Sequence, residues 1–263
     1  MAKVTINTLQ KMKAEGQRFA ALTAYDATQA HWVSEAGVEV LLVGDSLGMV
    51  IQGNDSTVPV SLNDMAYHTR AVARGNKSGL LMADVPFMAA ATVERTLEAA
   101  QVLMQAGAEI IKLEGGAWLA PAIQILARNG VPVCAHLGLT PQAVNKFGGY
   151  RVQGKSDAAG EQLLADAKAL EEAGADLLLV ECIPAPLAKR LTAQSRVPVI
   201  GIGAGADTDG QVLVLYDMLG MNTGRNARFV RDFMADTDTP QAAIAAFAEA
   251  VRDQSFPAQE HTF

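Results

Sequence analysis

The feature that most constrains this chain is a recurring unit: a short β-branched apolar run, a polar or glycine-rich loop, then an Ala/Leu-rich amphipathic stretch. The apolar runs fall at 20–26 (AALTAYD), 38–46 (VEVLLVGDS), 80–86 (LLMADVP), 109–115 (EIIKLEG), 131–138 (VPVCAHLG), 176–182 (DLLLVEC), 197–204 (RVPVIGIGA) and 211–217 (QVLVLYD). Runs that are apolar almost throughout suit strands buried on both faces of a parallel sheet. Helical patterns separate them at 27–36, 61–74, 92–106, 116–129, 158–173 and 185–195, with a further helical region near 226–253. In EAGVEVLLV, QAGAEIIKL, RNGVPVCAH and EAGADLLLV a glycine closes the helix and leads straight into the next strand, the usual C-terminal stop of a helix. Eight strands with alternating helices predict a (β/α)₈ TIM barrel, the whole of 1–263 forming one catalytic domain. Residues 3–16 read as an extra N-terminal helix that could close the bottom of the barrel.

Bulk properties remove several function classes. Half the residues are apolar and 19% are charged, which fits a large core rather than disorder. A net charge of −7 and a pI near 5.1 argue against an extended nucleic-acid surface. The opening residues MAKVTINTLQKMKAEGQ are polar, and no unbroken apolar run reaches 18 residues, so neither a leader nor a membrane span is expected and the cytoplasm is the expected compartment. Cys134 and Cys182 lie inside apolar strands and read as buried, reduced thiols; no Cys/His spacing suggests zinc.

What ends the strands is more informative. Strand two ends in Asp45-Ser46, strand three in Asp84, strand four in Lys112 and Glu114, strand five in His136 and strand six in Glu181. In a barrel these positions fall on the C-terminal rim, where barrel enzymes keep their sites. A lone Asp after a strand is commonly a helix cap, but a series of consecutive strands ending this way points to convergence on one site. Asp45, Asp84 and Glu114 come from adjacent strands and would repel unless a cation neutralised them; all-oxygen ligation with few protein ligands suits Mg²⁺. The competing reading makes one of them an ordinary ion-pair partner of Lys112. Lys112 and Glu114 share a strand face, and the lysine is a candidate to bind a substrate carboxylate or a developing oxyanion. His136 is either a hydrogen-bonding group for an oxo acid or a histidine satisfied in the core. Glu181, preceded by an apolar run and farther around the ring, is the candidate general base; its bland alternative is a salt bridge to Lys189 or Arg190. Two loops on this rim, 47–60 and 139–157, are long enough to act as lids or clamps. GIGAGADTDG (201–210) lacks the context of a dinucleotide fingerprint and could at most form an anion nest.

At these residues the sequence resembles the ketopantoate hydroxymethyltransferases. The matching segments are TAYDATQA, LLVGDSLGMVIQGNDSTVPV, MAYHTRAV, ADVPFM, IKLEGG, PVCAHLGLTPQAVNKFGGYRVQGK, LLLVECIP and VIGIGAGADTDGQVLVLYD, from about residue 18 to 220, with FVRDFM and FPAQEHTF beyond. The resemblance implies transfer of the one-carbon unit of 5,10-methylenetetrahydrofolate to 3-methyl-2-oxobutanoate, giving 2-dehydropantoate on the pantothenate route. It implies Mg²⁺ on Asp45 and Asp84 with Glu114 close by, the oxo acid on Asp45, Ser46, Asp84 and Lys112, Glu181 as proton acceptor, and a homodecamer. The nearest alternative is another metal-dependent 2-oxo-acid enzyme of the phosphoenolpyruvate mutase/isocitrate lyase type. Those carry a reactive cysteine in a loop after strand five, whereas here Cys134 precedes the strand's end. A non-catalytic folate- or oxo-acid-binding protein would have little use for both an acidic triad and a separate glutamate.

Overall fold

The computed structural model describes residues 2–222, 224 and 226–263. Eight parallel strands close into a barrel in sequence order: β1 (Phe19–Thr23), β2 (Val40–Val43), β3 (Leu80–Asp84), β4 (Ile110–Glu114), β5 (Val133–Gly138), β6 (Leu177–Glu181), β7 (Val199–Ile202) and β8 (Gly210–Leu213), with β8 pairing back onto β1. Nearly every strand residue is buried, which accounts for the unbroken apolar runs: one side chain fills the barrel and the next meets the helical layer. Helices cover the outside after β1 to β6, among them Ala27–Glu35, Leu62–Gly75, Val93–Gln105, Ala120–Arg128, Asp157–Ala173 and Ala185–Gln194. Asp157–Ala173 shows the local logic in full. Ser156 caps its first turn by accepting from the Ala159 N–H, its buried face carries Leu163, Leu164, Ala167 and Leu170, and Gly174 ends it at φ 110°, a conformation a side chain would resist.

The N-terminal helix Ile6–Ala14 does lie across the bottom of the barrel. Lys3 reaches the Gly79 carbonyl and Glu109 just below β3 and β4, and Lys13 reaches Asp209 just below β8, at 2.7 Å. Leu9 is the fully buried residue of this helix. The same end shows a regularity. An acid immediately before each even-numbered strand accepts a backbone N–H from the start of the preceding strand: Glu39 from Ala20, Glu109 from Leu81, Asp176 from Val133 and Asp209 from Val199, at 2.8–3.0 Å. Those N–H groups lie beyond the ladder, so the carboxylates supply the partners that a buried donor requires.

Two expectations need correction. The eighth strand stops at Leu213 rather than continuing to 217, because β1 ends at Thr23 and offers no further ladder; the Thr23 hydroxyl takes the Leu215 N–H and Leu215–Met218 turns helical. The helix near 226–253 is confined to Pro240–Arg252, where Thr239 caps and Pro240 occupies the first turn. Upstream, Phe233 is instead held in irregular chain by edge-on packing with Phe247 and Phe256. Between β7 and β8, where the sequence shows no helical pattern, residues 203–209 connect the strands directly.

Candidate active site

The pairing register builds the site. β3 and β4 place Asp84 beside Lys112, β4 and β5 place Glu114 beside His136, and β5 and β6 place Gly138 beside Glu181. Polar side chains that end neighbouring strands are thereby set in a row along the C-terminal rim. Asp45 joins through its backbone N–H, which donates to Asp84 Oδ2 at 3.0 Å. Ser46 follows, its hydroxyl 2.9 Å from that of Tyr25. Asp45, Ser46, Asp84, Lys112, Glu114, His136 and Glu181 all line one cavity of about 1100 Å³ at the mouth of the barrel. The convergence expected from the strand ends is therefore realised in full.

The contacts are close and dry. Lys112 Nζ lies 2.9 Å from Asp84 Oδ1, 3.7 Å from Glu114 Oε1 and 3.3 Å from His136 Nδ1. His136 sits between two acids, with Nδ1 3.4 Å from Glu114 Oε1 and Nε2 3.3 Å from Glu181 Oε2. Glu181 is thus chained to the cluster through His136 rather than set apart. The salt-bridge alternative for Glu181 fails, since Lys189 pairs with Asp207 and Arg190 with Glu161. Lys112 does take the ion-pair role with Asp84, yet it still faces the cavity.

Charge balance decides what such a site can hold. Burial opposes a charge on Lys112, but Asp84, Glu114 and Asp45 outweigh it and keep the ammonium protonated, so it is poorly suited to Schiff-base chemistry. Burial also resists ionisation of Glu114, and His136, Lys112 and the Gln142 N–H overcome it, leaving that carboxyl below the usual range. Burial and the Lys112 charge work against protonating His136; the two flanking glutamates prevail and its pKa is raised. Asp45 is the group left short: burial, then Asp84 and Glu114, push its carboxyl well above the ordinary value. Asp84 Oδ1, Glu114 Oε1 and His136 Nε2 are buried without an aligned hydrogen-bond partner. Four carboxylates around one ammonium and one imidazole, with oxygens unsatisfied, make a chemical environment that fits an added cation. Among the described residues no three His, Cys, Asp or Glu side chains are grouped so that they could by themselves hold a metal ion.

Backbone geometry supports the position of Glu181. The next residue, Cys182, adopts φ 46°, a left-handed conformation costly for a side chain and found where surroundings enforce it. Its N–H donates to Ile202 O and its carbonyl accepts from Gln153 N–H, both at 2.9 Å. Opposite, Gly138 has φ 89°, and a Cβ there would come 2.4 Å from the Glu181 carbonyl. Both thiols are free and buried, as expected, and burial pushes that of Cys134 up to about 12. Both long loops line the cavity, and Tyr150 from the second donates to Met49 Sδ of the first at 3.5 Å. The glycine run after β7 does not form an open nest. Gly203 is packed against Phe229 and Phe263, and Gly205 against Ala185.

Two participants were not anticipated. Tyr25, 1% exposed, holds the Ser46 hydroxyl; as a polar residue ending strand one it carried the same signal as Asp45, whereas its neighbour Asp26 is only a helix cap. Gln142, in the second long loop, touches three strand ends, and nothing in TPQAVNK singles it out.

The family model described as ketopantoate hydroxymethyltransferase matches residues 3–259. The 3-methyl-2-oxobutanoate hydroxymethyltransferase of Marinobacter nauticus is 62% identical over 260 residues, covering 99% of this chain and 98% of that one. The enzyme of the same name from Alcanivorax borkumensis is 61% identical, with 99% of each chain covered. Among solved structures, a phosphonopyruvate hydrolase in complex with oxalate and Mg²⁺ superposes with a TM-score of 0.61 at 15% identity, covering 97% of this chain and 99% of that one. A 2,3-dimethylmalate lyase of the PEP mutase/isocitrate lyase superfamily gives 0.59 at 16%, covering 82% and 81%. Those two share the fold alone; the close sequence relatives and the full-length family match identify the chain as a member of the ketopantoate hydroxymethyltransferase family of enzymes.

Proposed function

We propose that this enzyme transfers a hydroxymethyl group from 5,10-methylenetetrahydrofolate to 3-methyl-2-oxobutanoate, giving 2-dehydropantoate, and that Mg²⁺ serves as its cofactor. The observation that carries the reading is the row Asp45–Asp84–Lys112–Glu114–His136–Glu181 on a single cavity wall, acidic in excess and almost closed to solvent. Asp45 and Asp84 would hold the cation, with Glu114 near it. When bound, a divalent cation supplies Lewis acidity at the keto oxygen of the substrate, a contribution of several kcal/mol to stabilising the developing charge.

The chain's own residues do the rest. Ser46, its hydroxyl oriented by Tyr25, and the Lys112 ammonium bind the oxo acid; Asp84 holds the ammonium in place. His136 contributes a further hydrogen bond to the substrate and anchors Glu181 through Nε2. Glu181 accepts the proton from C3, whose electron pair passes toward the keto oxygen to make the enolate. C3 then attacks the one-carbon unit of the donor, with one water consumed overall to furnish the hydroxyl. The loops joined by Tyr150 and Met49 limit water while the enolate exists. A homodecamer is part of the same reading, and the exposed side chains of Phe87, Met88 and Trp118 offer apolar surface for an assembly to cover. No helix among the described residues is long and apolar enough to cross a membrane, in keeping with a cytoplasmic enzyme.

The test is exchange of the C3 proton of 3-methyl-2-oxobutanoate with solvent deuterium, followed by NMR with Mg²⁺ and without folate. Wild type exchanges. Glu181→Gln retains oxo-acid and Mg²⁺ binding and loses exchange by about 10²–10⁴-fold, the usual contribution of a positioned base. Normal exchange by that variant removes Glu181 from the role.

A further inference from the structure

We propose that Gln142 is a positioning residue for the cation site, acting by fixing the carboxylate of Asp45. The proposal rests on the reading of Asp45 and Asp84 as cation ligands. One residue of the loop after β5 ties three strand ends together. Its backbone N–H donates to Glu114 Oε2 at 3.0 Å, and its side-chain amide donates to Asp45 Oδ2 at 2.8 Å and to the Val85 carbonyl at 2.9 Å. Both amide hydrogens are thereby used, and the side chain has no freedom to rotate without breaking one of the two bonds.

The geometry answers a physical need. Asp45 is 3% exposed and faces the charges of Asp84 and Glu114. Among the described residues Gln142 is the only side chain that donates to its carboxylate. A buried carboxylate repelled from two sides and lacking that donor would turn toward solvent or toward Lys112, away from the place that the proposed cation site requires of it. The bond engages Oδ2 and leaves Oδ1 for a ligand. The Val85 carbonyl follows directly after Asp84, so the same amide locks the distance between the β2 and β3 ends. Removing a group that orients a metal ligand typically lowers metal affinity or activity by 10–100-fold.

The test uses Q142M, which keeps length and volume without a donor, and Q142N, which keeps the donor and the backbone bond to Glu114 but is one methylene short. Mg²⁺ affinity is measured by calorimetry on the full chain without substrate, with Mn²⁺ electron paramagnetic resonance in parallel. Circular dichroism and thermal melting without metal serve as the folding control. Both variants are expected to melt close to wild type and to bind the cation at least tenfold more weakly, with the C3 exchange rate recovering at saturating Mg²⁺. A purely structural anchor for the loop would alter the apo melting temperature and leave the cation affinity unmoved, which would overturn the proposal. So would wild-type affinity in either variant. If the wild-type chain binds neither Mg²⁺ nor Mn²⁺, the cation reading fails first and this one with it.

Discussion

Lys112→Met is the perturbation that best probes the charge balance of the site. Methionine keeps most of the apolar stem, so packing along β4 survives while the ammonium is lost. The charge removed sits 2.9 Å from Asp84 and 3.7 Å from Glu114, among side chains that are 3–5% exposed. Breaking a buried pair by deleting one partner costs about 3–5 kcal/mol, because the remaining charge is stranded. For a chain of this size 1 kcal/mol shifts the melting temperature by about 2–4 °C, so calorimetry of the metal-free protein at pH 8 should show a fall of about 6–20 °C. The sign with pH follows from the stranded carboxylates. Without the ammonium they hold protons more tightly folded than unfolded, so stability is fullest when they are protonated and is lost as pH rises through their folded pKa values. The deficit relative to wild type should therefore narrow between pH 8 and pH 5. Mg²⁺ should also raise the melting temperature more in the variant than in wild type, since a ligand that binds only the folded state adds RT ln(1 + [L]/Kd) and the cation now replaces a missing charge. A deficit that stays constant from pH 5 to 8 and is indifferent to Mg²⁺ would refute the electrostatic argument and assign the loss to packing.

Other outcomes follow from separate parts of the molecule. Burial raises Asp217, on the cavity wall, to about 6. A carboxyl raised on folding favours the protonated folded state, so its contribution is present below about pH 4 and lost as pH rises past 6. Asp217→Asn should add up to about 3 kcal/mol at pH 8 and nothing near pH 4, by 1.36 kcal/mol per pH unit less the screening of a partly exposed group; denaturant titrations at both pH values check it, and equal gains at both would contradict the cause. At the opposite end, Glu39→Ala strands the Ala20 N–H and the Arg252 guanidinium, each 2.8 Å from the lost carboxylate. It should lower stability by about 1–3 kcal/mol with kcat unchanged at temperatures where the variant is folded; a reduced kcat there would show coupling between the two ends of the barrel.

The sequence by itself settled the architecture. Strands buried on both faces must be apolar throughout and helices half-buried must be amphipathic, so the alternation of periods exposed the eight-fold repeat directly. It also exposed most of the site, because a charged group after an apolar run is conspicuous: Asp45, Asp84, Lys112, Glu114, His136 and Glu181 were all legible. The same rule reached Tyr25 only in retrospect, since a tyrosine at a strand end passes for core. The ends of elements were less legible. Strand eight stops at Leu213 because its neighbour ends, and Phe233 lies outside a helix because Phe247 and Phe256 hold it; neither partner is local.

What only the tertiary structure decided is which groups touch. Register sets Asp84 against Lys112 and Glu114 against His136, and barrel closure determines that Glu181 meets His136 rather than Lys189 or Arg190. Gln142 was invisible for the same reason. An uncharged residue in a loop carries no burial pattern, and its meaning lies in contacts with Asp45, Val85 and Glu114, up to 97 positions away along the chain. Periodicity records which face of an element is dry; hydrogen bonds across a closed barrel depend on distances that no single stretch of chain encodes.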